Sequence, residues 1–476
     1  MNEVKSPNAT KPVSQAPKSS GVSFKNLIGY GLGEVGCQLS WYMINSYLNI
    51  FYTDIVGLSG AAISAIVLIA RIWDTINDPM MGQIADRTHS RWGKFRPWLM
   101  FAPPFLALFN VLTFTVFPVQ GAMKAILCAV CYICAGMAYT AVSISYQALL
   151  NVIEVDSRKR QILATARSTG ASVIGIILSM VAMPLILHFS NTFNAEGTKM
   201  ADAHGYFMGT LIISLAMMPV FWLCAGMCKE TYGEELHKDH QENAGFIENI
   251  KGLFQNDQLL MVVIATVIGA ICVTGRYGIL VYHVIYVVGG PQYIATMFTA
   301  MTVGQLCGTL TVPWGTRVFG KKRYMIIMNV VMAAGFVALF LYPTNNPIFL
   351  IGASFIGSLG FGAPAICYGM VGDSLEYADW KLGKRQEGLA ASLLSFGVKL
   401  ATALCAPVVL LLEAVGYVPN AEQTEAAKHG INFMVNMLPA ILALVSCIPL
   451  IWYKLDDKRV SEIRADLEAG KHAWDK

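Results

Sequence analysis

The sequence predicts an all-α integral membrane protein of twelve transmembrane helices arranged as two six-helix pseudo-repeats. Three observations carry this reading. The chain has 476 residues, 55% of them hydrophobic and only 13% charged, which is too apolar for a soluble protein of that length. That supply suffices for about a dozen spans of roughly 20 residues each. Second, the basic residues alternate between connections. Only Lys124, Lys199 and Lys428 fall in one set, Arg71, Arg167, Arg276 and Lys399 lie within spans, and the rest of the 34 Lys and Arg fall in the other set or the tails. This asymmetry orients the chain with both termini cytoplasmic. Third, a long charged connection divides six spans from six, and the halves echo each other. Basic turns follow helices 2 and 8, and Lys-Arg-Gln recurs at 159–161 and 384–386, before helices 5 and 11.

In chain order, residues 1–23 are polar and read as a disordered cytoplasmic tail without a cleavable signal. Apolar runs place spans near 24–52, 61–84, 97–118, 122–150, 163–189 and 206–228, forming a first bundle over 24–228. A central cytoplasmic loop is expected over 229–257. The second bundle, 258–454, has spans near 258–287, 293–314, 323–343, 347–372, 387–415 and 430–453, and 455–476 is a short charged tail. Gly29, Gly31, Gly33 and Gly36 in helix 1, and Gly352, Gly357, Gly360 and Gly362 in helix 10, read as close-packing positions, with Pro364 favouring a bend. Cys128, Cys131 and Cys134 lie inside an apolar helix and behave as small hydrophobes. Gly315 to Lys322 approaches a phosphate-binding loop, but Lys322 stands where Ser or Thr is required and no strand precedes it.

The polar residues inside the spans carry the chemistry. Arg71, Asp74, Asn77 and Asp78 fall on one face of helix 2. Helix 1 offers Glu34 and Gln38 one turn apart, and helix 4 offers Tyr139, Thr140, Ser143 and Gln147 on a shared stripe. Helices 5, 7 and 11 add Arg167, Arg276 and Lys399, of which Arg276 could instead snorkel to the outer surface. Ionisable groups at membrane depth are costly, so this number of them points to a hydrated cavity more than to a set of structural ion pairs. Asp74, Asn77, Asp78 and Thr140 supply hard oxygen ligands for a small cation, sodium before a proton; no thiolate or imidazole cluster suggests a transition metal. Arg167 and Lys399 could hold a polyhydroxylated solute, or act as counter-charge in the unloaded protein.

Taken with the motifs Tyr52-Thr53-Asp54, Ala70 to Pro79, Ser90 to Trp98, Asn256-Asp257-Gln258 and Asp373 to Gly388, the chain resembles the glycoside–pentoside–hexuronide:cation symporter family, that of the melibiose permease, over roughly residues 26–455. The resemblance implies the major facilitator fold and alternating access around a central cavity. It assigns cation binding to Asp74, Asn77, Asp78 and Thr140, and basic positions near the sugar and cation to Arg167 and Lys399. Arg91, Gly93 and Arg96 match the cytoplasmic loop that closes the inner side, and Asp373 and Glu376 are expected in the same gating role. Cys37-Gln38 stands where the melibiose permease has a Lys-Asp pair, and Ser143 and Gln147 replace its Asp and Trp. These departures argue for a neutral pentoside or glucoside over a galactoside, with Glu34, Gln38, Tyr139, Ser143, Gln147, Arg167 and Lys399 as the sugar contacts.

The expected function is thus cation-coupled symport of a sugar or glycoside across the cell inner membrane. The partners are the solute, the sodium ion or proton and the lipid bilayer, with no cofactor and no nucleic acid. The rivals are a sodium-dependent lysolipid transporter and a membrane sugar sensor that moves nothing. A membrane enzyme would need a convergent nucleophile and base, which the sequence lacks.

Overall fold

A computed structural model describes residues 23–154, 157–193, 197, 199–230, 256–383 and 387–473. Most of the tail over 1–22, most of the central loop and the second Lys-Arg-Gln copy at 384–386 lie outside the described residues.

The first six spans are α1 (Phe24–Ile50, continued by a π-helical turn Phe51–Ile55), α2 (Gly60–Arg87), α3 (Arg96–Thr113), α4 (Ala122–Ile153), α5 (Ser157–Phe189) and α6 (Ala203–Met227). A two-residue hairpin, β1 (Thr192–Phe193) with β2 (Lys199–Met200), joins α5 to α6. The second set is α7 (Asp257–His283, with a π-helical turn Val284–Val288), α8 (Gln292–Phe319), α9 (Lys321–Leu341), α10 (Pro347–Leu359), α11 (Pro364–Leu382), α12 (Glu387–Leu404), α13 (Val408–Ala414), α14 (Glu425–Asn432), α15 (Leu438–Val445) and α16 (Cys447–Trp452). The pairs α10–α11 and α12–α13, and the series α14 to α16, each make one broken span, giving twelve among the described residues. An amphipathic helix, α17 (Asp457–Glu468), follows.

Side chains mark where these helices begin. Ser59, Asp202, Asn256, Thr424 and Asp456 each accept a hydrogen bond from the backbone N–H three residues on, satisfying donors the helix itself cannot. Ile69, Ile76, Met80 and Ile84 are exposed along one side of α2, the face for lipid, while Arg71, Ile72, Asp74 and Asp78 line a chamber on the other.

Helices α1 to α6 pack together as one half, α2 by way of α4, and α7 to α12 with the last span form the other. The halves meet through α1 with α7, α5 with α8, and α2 with α12 and α13. Small residues permit the tightest approaches. A Cβ on Gly29 would stand 2.7 Å from that of Met227, one on Gly36 would meet the Phe221 ring at 2.8 Å, and one on Gly33 would overlap the Tyr146 ring. Gly352 departs from this expectation, since its Cβ would enter open space. At Gly308 an added Cβ would overlap the backbone carbonyl of Leu359, which cannot move aside without shifting α10. Gly308→Ala is therefore expected to destabilise the protein by about 1–3 kcal/mol, read as a lower melting temperature in detergent.

Three expectations need correction. Helix 10 is not one rod ending at 372: a 3-10 turn at Gly360–Gly362 breaks it, Pro364 restarts it, and it runs on to Leu382. Pro364 fits a first helical turn because its missing N–H would be unpaired there anyway. Asp373 and Glu376 consequently sit on helix α11, not in a loop. The last residues are not merely a charged tail, because α17 buries Val460 and Ile463 and donates from Arg464 Nε to Glu376 at 2.6 Å. That bond also raises the Arg464 guanidinium above its ordinary pKa. Finally, Arg276 does not snorkel. It is 0% exposed, donating to the Val435 carbonyl and to Asn436 Oδ1, with its guanidinium 4.1 Å from the Phe336 ring centroid. The π-helical turn Phe433–Met437 leaves a carbonyl outside the usual ladder, and Arg276 satisfies it.

Candidate functional site

Two chambers lie between the halves. The first, of about 520 Å3, is lined by Asp74, Asp78, Tyr139, Thr140, Ser143, Gln147 and Lys399, among others. The second, of about 490 Å3, lies among α1, α5, α7 and α8, with Trp41, Arg71 and Thr402 shared by both walls. Both volumes suit small solutes.

The residues that the sequence groups as a cation site are partly brought together. Asp78 Oδ1 accepts from Thr140 Oγ1 at 3.1 Å, and its Oδ2 is paired with Lys399 Nζ, which reaches across from α12. Asp74 Oδ2 is bound by Arg71 Nη1 at 3.0 Å, and Arg71 Nη2 donates to the Tyr132 hydroxyl at 2.8 Å. Asn77 does not line the chamber; it is buried, with its amide nitrogen unpartnered. The described residues hold no cluster of three or more His, Cys, Asp or Glu that could hold a metal ion.

Helix α1 faces the same space with a polar stripe. Glu34 accepts from Arg167 Nε at 2.7 Å and from Gln38 Nε2 at 3.2 Å, so it is engaged by its own half. Neither Glu34 nor Arg167 lines either chamber, whereas Gln38 lines the second. Two ion pairs thus stand in the chamber walls, Asp74–Arg71 and Asp78–Lys399, and a third, Glu34–Arg167, lies outside the lining. Each carboxylate is balanced by a protein cation, and only Lys399 comes from the opposite half.

Sequence reasoning missed several groups. Trp41 stacks on Tyr139 with ring centroids 4.6 Å apart and sits under the Arg71 guanidinium, so it forms the partition between the chambers. The apolar surroundings of Trp41 gave no signal for that role. The Tyr52-Thr53-Asp54 motif was visible but had no assigned chemistry. In the structure Asp54 accepts from Thr53 Oγ1 at 2.6 Å and from the Tyr286 and Tyr417 hydroxyls, while its carbonyl accepts from Asn420. Thr53 also bonds the Tyr282 hydroxyl at 3.0 Å, Asn49 donates to the Gly278 carbonyl at 3.0 Å, and the Gly60 N–H donates to Glu413. These contacts tie the halves together at the end of the bundle that carries the α1–α2 connection.

At the opposite end, strong polar contacts hold each half to itself. Lys321 bonds Asp373 at 2.6 Å, and Arg464 reaches Glu376. Arg96 Nε donates to the Ala225 carbonyl at 2.7 Å, while Arg91 stacks on Trp92. Glu230, another residue the sequence did not flag, accepts the backbone N–H groups of Lys94, Phe95 and Arg96 at 2.8–2.9 Å. Gly93 has φ +107° and passes against that carboxylate, so a side chain would be excluded twice. Glu230→Ala is expected to cost about 1 kcal/mol by uncapping α3, and to speed proteolysis at Arg91 or Lys94 in the folded protein.

Two six-helix halves around a central, ion-paired cavity define a secondary transporter of the major facilitator fold, and not an enzyme. The chain belongs to the MFS/sugar transport protein family, whose model matches residues 29–457. It is a secondary active transporter that moves a sugar or glycoside together with a cation. It is similar to the isoprimeverose transporter of Lactiplantibacillus pentosus, 31% identical over 98% of this chain and 95% of that protein. The glucuronide carrier protein homolog of Escherichia coli is 27% identical, over 94% and 96%. Among solved structures, a D-xylose-proton symporter superposes with a TM-score of 0.63 at 14% identity, covering 92% of this chain and 99% of that one. A nucleoside transporter superposes at 0.60 and 13% identity, over 89% and 99%. At such identities the likeness concerns the fold.

Proposed function

We propose that this protein imports a neutral glycoside or pentoside across the bacterial inner membrane with one sodium ion, or failing that a proton, bound at Asp78, Asp74 and Thr140. The observation that supports this is the cross-half pair between Lys399 and Asp78, beside the Thr140 hydroxyl. A lysine ammonium there stands in for a small cation: it neutralises the same carboxylate oxygen that an incoming ion would use. Ion entry displaces Lys399, frees it for solute hydroxyls, and so makes the two bindings interdependent. Such coupling is reciprocal, so sugar must tighten ion binding by the same factor. Asn77 completes the ion's oxygen set only after a small rotation of α2, since its amide lies outside the chamber lining.

The sugar is gripped by Gln38, Tyr139, Ser143 and Gln147, with the Glu34–Arg167 pair outside the lining orienting Gln38 through its bond to Glu34. If both termini face the cytoplasm, as the basic residues argue, the sealed end at Asp54 is external and the state seen is inward-facing. Arg91, Gly93, Arg96, Asp373 and Glu376 then belong to the inner rim, where they shape each half for closure. Purified protein in liposomes should accumulate radiolabelled sugar under an imposed sodium gradient. Binding with no gradient-driven accumulation would leave only the sensor reading.

A further inference from the structure

The second chamber has a chemistry of its own. Glu34, Gln38, Trp41, Asn45 and Asn49 follow one another on a single face of α1, a stripe about 22 Å long at 1.5 Å per residue. That length exceeds one pyranose ring. Its upper part, with Thr274 and Tyr277 of α7 and Gln305 of α8, lines the second chamber, where among the described residues Arg71 is the only charged group and no carboxylate contributes. Asn45 and Thr274 have no protein hydrogen-bond partner among the described residues, and Asn45 is exposed to the chamber. Among the described residues the Gln305 side chain is engaged only through Oε1, by the Tyr277 hydroxyl at 3.4 Å, which leaves its amide N–H donors to other acceptors. The Asn45 amide, the Thr274 hydroxyl and the free Gln305 N–H donors at membrane depth, in a wall that also carries the Trp41 and Tyr277 side chains, suit a ligand that combines hydroxyl groups with apolar ring surface.

We propose that this chamber is the subsite for the second ring of a two-ring glycoside, with Asn45 and Gln305 as its specificity-determining contacts. The first ring then occupies the charged chamber beside Tyr139 and Gln147, and Trp41 lies at the junction. This rests on the sugar-transport reading above. Ion-coupled currents from proteoliposomes test it without labelled solute, using glucose and xylose against isoprimeverose, xylobiose and cellobiose under sodium and proton gradients in turn. At least one disaccharide should half-saturate the current at a concentration about tenfold below that of its component monosaccharides, a difference of about 1.4 kcal/mol. Asn45→Ala and Gln305→Ala, on different halves, should each erase that advantage while leaving the monosaccharide value within about twofold. Monosaccharides as good as every disaccharide, or variants that weaken both alike, would overturn the second-ring subsite. Silence with all five sugars would instead overturn the transport reading beneath it.

Discussion

Asp78→Asn is expected to abolish sodium- or proton-driven accumulation while leaving the folded protein and a weak sugar affinity in place. The amide keeps the size of the carboxyl group and an oxygen for Thr140, but it removes the charge that both Lys399 and the ion compete for. Coupling free energies of this kind usually correspond to roughly 5–150-fold changes in affinity. In the variant that ratio should fall to about one: adding sodium would no longer tighten sugar binding. Isothermal titration with and without sodium measures it directly. Retained gradient-driven accumulation would remove Asp78 from the ion site. Lys399→Ala separates the two roles of the pair, because it should leave Asp78 free for the ion while weakening the link to sugar.

Asp54→Ala should have the second large effect, on the conformational balance. Asp54 collects hydroxyl donors from α1, α7 and the segment after α13, and its loss removes the acceptor of the Tyr286 and Tyr417 hydroxyls. Hydrogen bonds to charged groups contribute about 1.5–3 kcal/mol each, so losing two that cross between the halves shifts the ratio of the two states by about 100-fold or more. Single cysteines placed near Gly57 and Val418 should become far more reactive toward impermeant thiol reagents. Double electron–electron resonance between spin labels there should show a longer distance. An unchanged distance distribution would mean that Gly60–Glu413 and Asn49–Gly278 close that end without Asp54.

Much of the fold was legible in the sequence because membrane burial leaves a coarse and redundant signal. Apolar runs mark spans, basic residues mark one set of connections, and glycines at α1 mark where helices touch. The breaks were less legible. The kink at Gly360–Gly362 was foreshadowed by Pro364, but the continuation to Leu382 depends on α11 packing against α17 through Arg464 and Glu376. Within the site, Asp74, Asp78, Thr140 and Lys399 do converge, as their types and helix faces suggested. Asn77 and Glu34 did not join the lining, for one turn of helix rotation is finer than a periodicity argument can fix. Arg276 misled because an apolar-flanked arginine near a helix end looks the same whether it reaches for headgroups or for a π-helical carbonyl.

The sequence by itself determined the class of molecule, the number of spans and the presence of costly charges that had to meet partners or water. These follow from composition and local spacing, which act through the solvent and the helix repeat alone. Only the tertiary structure decided which charge meets which, that Lys399 rather than Arg167 reaches the Asp78 carboxylate, and that Asp54 seals one end. Those choices depend on how two independently packed halves lean on each other, and contacts between residues hundreds of positions apart leave no imprint on the pattern of either segment.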